Sequence, residues 1–139
     1  MHLFVEKKLQ TDEQRLGRFE VDHLVLRARL LPESARYYAA LLPLLGFVPI
    51  VSTRWRNSRG FVVDLQQAEA GTADYDRTAP GLNHFGFRAT SVSDLETVQA
   101  AMRSAGFAAP EIERFPGALA LFMRDPDGIR FEIGFEEQP

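Results

Sequence analysis

Residues 83–89 read "NHFGFRA" and residues 22–28 read "DHLVLRA", so the same His-x-x-x-Arg-Ala spacing occurs twice in the chain. In both stretches every second residue is apolar, and aliphatic or aromatic residues predominate, which is a pattern typical of β-strands. Each strand places its histidine and its arginine on one face and its apolar residues on the other. The two stretches therefore predict two equivalent strands, each with an apolar face and a polar face.

The repeat extends beyond these strands to further landmarks in the same order. Each half has a predicted helix that ends at Gly-Phe, first at Gly46 and then at Gly106. Each half also ends with a glycine followed four residues later by a carboxylate inside a predicted strand: Gly60 with Asp64, and Gly128 with Glu132. Recurrence in register indicates an internal duplication.

This duplication predicts an α+β fold of two βαβββ modules that form an open, curved mixed sheet. We expect the modules at about residues 19–70 and 80–137 of a single domain, because one module alone is too small to bury its sheet. Residues 1–18 are mixed and charged, and we expect them to form a leading arm. Within the second module, Ser93 and Glu96 predict a helix-capping box, and residues 125–128 predict a hairpin turn.

Composition limits the classes of partner. The chain has 139 residues, a net charge of −3, 45% hydrophobic residues and no cysteine. We expect no nucleic-acid or membrane partner, because such partners need a strong positive field or a long apolar segment. We expect a small-molecule substrate and a cytoplasmic location. Without cysteine, the strong metal ligands available are His, Asp and Glu.

The polar faces of the predicted strands carry the candidate site. Two imidazoles and a carboxylate suit a catalytic Zn²⁺ or non-haem Fe(II), so we predict a divalent metal held by His23, His84 and Glu132. The ion is Zn, Ni, Mn or Fe. The competing interpretation is that each histidine is only a hydrogen-bonded strand residue and that each carboxylate only pairs with arginine. Asp64 is a fourth candidate with a less certain register.

Three further residues are candidate substrate contacts. Arg27 and Arg88 share the polar faces of the two histidine strands, where either could hold an anionic group. Trp55 lies amid arginines in "RWRNSRG", residues 54–60. It would line the pocket mouth and select a planar or anionic substrate; the alternative is that this stretch is an exposed hairpin with a solvated basic tip.

Three motifs resemble the vicinal oxygen chelate superfamily, which includes glyoxalase I, extradiol dioxygenases and bleomycin-resistance proteins. They are "DPDGIRFEIGFE" (125–136), "PGLNHFGFRA" (80–89) and "LLGF" (44–47). The resemblance implies two βαβββ modules around a metal site, with His23, His84 and Glu132 on ligand positions and Asp64 near a fourth. It also implies a homodimer, and a catalytic proton-transfer role for Glu132 or Asp64.

The sequence differs from individual members of this superfamily at positions that bear on the expected activity. Arg27 matches a glutathione contact of glyoxalase I, but Ala68 and Pro80 stand where two other contacts are expected. Extradiol cleavage needs a further histidine, and only His2 remains. We therefore expect a glyoxalase-like, metal-dependent lyase or isomerase that acts on a small substrate with vicinal oxygens. The alternative is a non-catalytic small-molecule-binding protein of the bleomycin-resistance type.

Overall fold

A computed structural model describes residues 19–137, in which two α-helices and eight β-strands follow one another in two similar halves. The first half contains β1 (His23–Ala28), α1 (Leu31–Leu41), β2 (Val48–Val51), β3 (Arg54–Arg56) and β4 (Val62–Gln67). The second contains β5 (Phe85–Arg88), α2 (Val92–Ser104), β6 (Glu113–Phe115), β7 (Ala118–Arg124) and β8 (Arg130–Glu136). The predicted leading arm, residues 1–18, lies outside the described residues.

Each half forms its own four-stranded mixed sheet. The strand order is β1-β4-β3-β2 in the first sheet and β5-β8-β7-β6 in the second. The first and last strands of each half pair in parallel, β1 with β4 and β5 with β8, while the hairpin-connected strands are antiparallel. The predicted α+β fold of two βαβββ modules is confirmed. Between residues 19 and 137, no strand of one sheet pairs with a strand of the other.

One hydrophobic core joins the two modules. α1 contributes the buried residues Tyr37, Tyr38 and Leu41, and the Tyr37 ring packs edge-to-face against Phe107 and Phe131 of the second module. α2 contributes Leu95, Val98 and Met102, as its apolar spacing predicts. The inner faces of the strands complete the core with Leu26, Trp55, Val63, Leu65, Leu119, Leu121, Met123, Phe131 and Ile133. The outer faces of both sheets remain available for a site.

The start of α2 differs from the prediction. Ser91 is the N-cap, with extended backbone angles, and its hydroxyl accepts a hydrogen bond from the Asp94 N–H at 3.3 Å. Ser93 already lies inside the helix, so the predicted Ser93–Glu96 capping box is wrong. The cap needs a residue with non-helical backbone angles, and of the two serines only Ser91 has them.

The same turn closes the β3–β4 hairpin and the β7–β8 hairpin. In the second module, Asp125 Oδ1 accepts the N–H groups of Asp127 and Ile129, both at 2.9 Å. In the first, Asn57 Oδ1 accepts the N–H groups of Arg59 and Phe61, at 3.0 and 2.9 Å. The predicted turn at residues 125–128 is confirmed, and its glycine has a φ of 82°, which favours glycine.

The turn of the second module also fastens the modules together. Tyr38 of α1 donates its hydroxyl proton to Asp125 Oδ2 at 2.7 Å. Burial raises the pKa of the Asp125 carboxyl, although the hydrogen bonds from Tyr38 and the turn oppose the shift. Asp127 accepts the backbone N–H of Arg29 at 3.1 Å. Buried polar contacts of this kind fix the orientation of one module against the other.

Neither helix could cross a bilayer, since the longer one within residues 19–137 has 13 residues and a membrane span needs about 20.

Candidate functional site

His84 and Glu132 form the closest pair of potential metal ligands on the outer face of the second sheet. Nε2 of His84 lies 4.0 Å from Oε1 of Glu132, and each side chain is about one third exposed (38% and 34%). His84 directly precedes β5, and the strand pairing sets Gly86 level with Glu132. The structure thus brings together two of the three residues predicted to hold metal.

Asn83 fixes the orientation of the His84 ring. The Asn83 side-chain amide donates to the backbone oxygen of Arg77 at 2.9 Å, which turns its Oδ1 toward Nδ1 of His84 at 2.6 Å. Since Oδ1 can only accept, the proton of a neutral imidazole resides on Nδ1. Nε2 then presents its lone pair toward Glu132. This is the arrangement of a metal-ligating histidine with an orienting partner behind it.

Glycine at position 86 makes room for the Glu132 carboxylate. A Cβ at this position would lie 3.1 Å from Cγ and 3.2 Å from Oε1 of Glu132. The Glu132 side chain therefore extends over the strand position that has no side chain. In this way it stays on the His84 side of the sheet.

In the first module, the residues that correspond to His84 and Glu132 are His23 and Asp64, and they have different hydrogen-bond partners. Nδ1 of His23 lies 2.7 Å from Oδ2 of Asp22, so this ring also directs Nε2 away from its orienting residue. The carboxylate of Asp64, however, faces Arg54 and Gln66 rather than His23, with distances of 3.5 Å to Arg54 Nε and 3.3 Å to Gln66 Nε2. Asp64 already has two partners in its own sheet.

The predicted three-residue metal group is not assembled among residues 19–137, where no cluster of three or more His, Asp or Glu side chains could hold an ion. His23 stands apart from His84 and Glu132. The donor types of the His84–Glu132 pair nevertheless fit a divalent cation. Metal–ligand bonds near 2.1 Å set neighbouring donor atoms about 3.0–3.5 Å apart. The 4.0 Å between His84 Nε2 and Glu132 Oε1 is close to that spacing.

A trough of about 450 Å³ runs beside this pair on the second sheet. Its floor consists of small residues, its wall contains the edge-to-face rings of Phe115 and Phe122, 6.3 Å apart, and Arg88 lies at its rim. The small floor residues are Gly86, Ala118, Ala120 and Gly134. The shape suits a ligand with a flat apolar part.

The other predicted substrate contacts lie elsewhere. Arg27 donates to the backbone oxygen of Gln67 at 2.8 Å and lines a separate cavity of about 530 Å³ beside β1. Trp55 is 2% exposed and packs in the core, because β3 directs it to the face opposite Arg54 and Arg56. The prediction that Trp55 lines a pocket mouth is corrected: alternation along β3 buries the tryptophan and exposes the arginines.

Sequence reasoning missed three residues that shape the site: Asp22, Asn83 and Gly86. A usable signal was present, since His23 and His84 are each preceded directly by an Asx residue. The glycine inside β5 was a second signal, because glycine within a strand often marks a close approach by another group.

Residues 20–133 match the family model for the Glyoxalase/Bleomycin resistance protein/Dioxygenase superfamily. The uncharacterized protein YqjT of Bacillus subtilis (strain 168) is 27% identical over 121 residues, 80% of this chain and 94% of YqjT. Both findings span most of the two modules described above.

Solved structures give the same result. A glyoxylase/bleomycin resistance protein/dioxygenase domain from Frankia sp. EAN1pec matches with a TM-score of 0.72 and 26% identity, over 86% of this chain and 98% of that one. Lactoylglutathione lyase from Agrobacterium tumefaciens matches with a TM-score of 0.59 and 19% identity, over 84% and 92%. The second similarity establishes the fold alone.

Proposed function

The chain belongs to the Glyoxalase/Bleomycin resistance protein/Dioxygenase superfamily, and from this premise we propose that it is a divalent-metal-dependent enzyme. Its substrate is a small molecule with vicinal oxygens, and its reaction is of the lyase or isomerase type. The observation that carries the proposal is the His84–Glu132 pair, at 4.0 Å, with the imidazole lone pair turned toward the carboxylate by Asn83.

In this proposal His23, His84 and Glu132 hold the ion, which is Zn, Ni, Mn or Fe. When bound, it acts as a Lewis acid toward a substrate oxygen. Glu132 also serves as the proton-transfer base, because a carboxylate that is one third exposed can reach a substrate carbon next to a carbonyl and accept its proton. Asp64 is left out of this role because Arg54 and Gln66 already bind its two oxygens.

His23 reaches the site, we propose, from a second copy of the chain in a homodimer. Two observations support this. The described residues of one chain do not bring three ligands together, and among the strands of residues 19–137 the outer edges of β1 and β5 have no partner. The exposed apolar side chains of Val48, Ile50, Val51 and Phe115 would then be buried between the two copies.

Mixing two variants tests this assembly. His23→Ala and His84→Ala should each lose high-affinity metal binding. After the two proteins are exchanged at equal amounts, hybrid dimers regain one intact centre, so about a quarter of the wild-type capacity returns. If wild-type protein binds metal as a monomer by light scattering, or if mixing restores nothing, the shared site is wrong.

Substrate contacts follow from the trough beside Glu132. A flat apolar part would lie over Ala118, Ala120 and Gly134, against the ring of Phe122. An anionic group would reach Arg88 at the rim, where a guanidinium forms paired hydrogen bonds with a carboxylate or phosphate. Arg27 lies in the other cavity and is assigned to the substrate only if the dimer brings that cavity to the centre.

Metal analysis tests the enzyme proposal directly. Protein purified without chelators should contain a divalent ion, and its melting temperature should rise with added Zn²⁺, Ni²⁺, Mn²⁺ or Fe²⁺, because an ion that binds only the folded state stabilises it. The shift should vanish in His84→Ala and remain in Arg56→Ala, an exposed arginine of the other sheet. No metal and no shift in the wild type would reject the proposal.

A second candidate is a non-catalytic small-molecule-binding protein of the bleomycin-resistance type. The apolar trough favours it, since it could hold a ligand without any ion. This candidate predicts ligand binding that is unaffected by EDTA and by His84→Ala, whereas the enzyme proposal predicts that both treatments weaken binding. For either candidate we propose a cytoplasmic location, to which a sequence without cysteine is suited.

A further inference from the structure

The backbone conformation at position 86 of β5 does not require glycine. The glycines with positive φ in residues 19–137 do not include Gly86, so any residue could adopt its conformation. Glycine inside a strand costs stability because it loses more chain entropy on folding and has no side chain to pack. A side chain at position 86 would disturb Glu132. A Cβ placed on Gly86 would lie 3.1 Å from Cγ and 3.2 Å from Oε1 of Glu132.

The first module has a side chain, that of Val25, at the position equivalent to Gly86. Val25 follows His23 by two residues and pairs with Asp64, as Gly86 follows His84 by two residues and pairs with Glu132. The valine side chain stands on the same face as His23 and Asp64, level with the carboxylate. There the carboxylate is turned toward Arg54 on the opposite side, at 3.5 Å.

We propose that Gly86 is a positioning residue that keeps the Glu132 carboxylate beside His84, and that this makes the second module the half that captures the metal ion. The metal part of this inference rests on the proposed function; the positioning of Glu132 does not. Val25 has the opposite effect in the first module, where it holds the matching carboxylate away from its histidine.

Gly86→Val copies the first module and is the main test, with Gly86→Ala as a smaller step and Val25→Gly as the matched control. Each protein is crystallised without metal and titrated with Ni²⁺ by calorimetry. A side chain at position 86 meets only the flexible end of Glu132, so the fold should be retained, which circular dichroism checks. Should Gly86→Val not fold, Gly86→Ala decides the question.

In the Gly86→Val crystals, the Glu132 carboxylate should be turned away from Nε2 of His84. Ni²⁺ affinity should fall about tenfold or more, as when a residue that supports a ligand is lost. Gly86→Ala should show a smaller change, and Val25→Gly should bind Ni²⁺ as the wild type does.

A carboxylate that stays about 4 Å from Nε2 in both Gly86 variants would overturn the inference. Wild-type protein that binds no Ni²⁺ would reject the proposed function and the metal part of the inference together. The metal-free crystal structures would still decide whether Gly86 positions Glu132.

Discussion

The two modules have equivalent strands and the same turn, yet only in the second does the carboxylate of the last strand lie beside the histidine at the start of the first. In the first, Val25 stands level with Asp64, and Asp64 pairs with Arg54. In the second, Gly86 stands level with Glu132, and Glu132 lies 4.0 Å from His84. Three differences separate the ion pair of the first module from the candidate metal half-site of the second: valine in place of glycine, a shorter carboxylate, and Arg54 in place of Phe122 beside it.

The two halves of a duplicated fold can therefore differ in the chemistry of their sites. The orienting contact is present in both modules, with Asp22 behind His23 and Asn83 behind His84. The carboxylate and its surroundings differ between the modules. The first module also carries two exposed arginines on β3: Arg54 beside Asp64, and Arg56 beside Val62, which pairs with His23.

Trp55→Ala tests whether the first module uses its tryptophan for packing rather than for a ligand, and it has the largest expected effect. Trp55 is fully buried, so the free energy of unfolding should fall by about 3–5 kcal/mol. Denaturant unfolding measures it. Arg56→Ala, one residue away and exposed, should change stability by less than about 0.5 kcal/mol; a loss from Trp55→Ala of similar size would mean that Trp55 is not a core residue.

Asn83→Leu removes the orienting acceptor of the second module while keeping its size. The His84 ring is then free to rotate, and metal affinity should fall about 10–100-fold. Asn83→Asp, which copies Asp22 of the first module, should retain affinity. Calorimetric titration with Zn²⁺ distinguishes the two, and equal losses in both variants would argue against an orienting role.

Asp125→Asn copies Asn57 of the first turn into the second and should change the free energy of unfolding by an amount that depends on pH. Burial raises the pKa of Asp125, so its contribution to stability is present below the unfolded value of 3.8 and is lost as the pH rises through the raised folded value. The variant should therefore gain on the wild type as pH is raised from about 4 to about 7. Parallel stability curves over that range would contradict the assignment.

Arg54→Ala has the smallest expected effect. The Arg54–Asp64 pair is long, at 3.5 Å, and Arg54 is half-exposed, so the free energy of unfolding should fall by less than about 1 kcal/mol. Removal of the arginine frees Asp64 without changing Glu132. Thermal unfolding without metal measures the loss, and a larger one would show that the pair is part of the module's structural core.

The sequence repeat predicted the modules because strand alternation, helix ends and turn residues are local signals. It predicted the outward faces of His23, His84, Asp64 and Glu132 for the same reason. Distances across strands are not local. The closeness of Glu132 to His84 depends on Gly86, and the capture of Asp64 depends on Arg54, a residue of another strand. Trp55 was predicted at a pocket mouth because the nearby arginines indicated an exposed stretch. The alternation Arg54-Trp55-Arg56 is instead that of a strand with a buried central residue.

The central claim is that the carboxylate of the second module, rather than that of the first, binds the metal ion. Calorimetric titration of Glu132→Gln and Asp64→Asn with Ni²⁺, beside the wild type, tests it most directly. Glu132→Gln should lose affinity by about 100-fold or more, because an anionic ligand is replaced by a neutral one. Asp64→Asn should bind as tightly as the wild type. Equal losses in the two variants, or a loss in Asp64→Asn alone, would contradict the account.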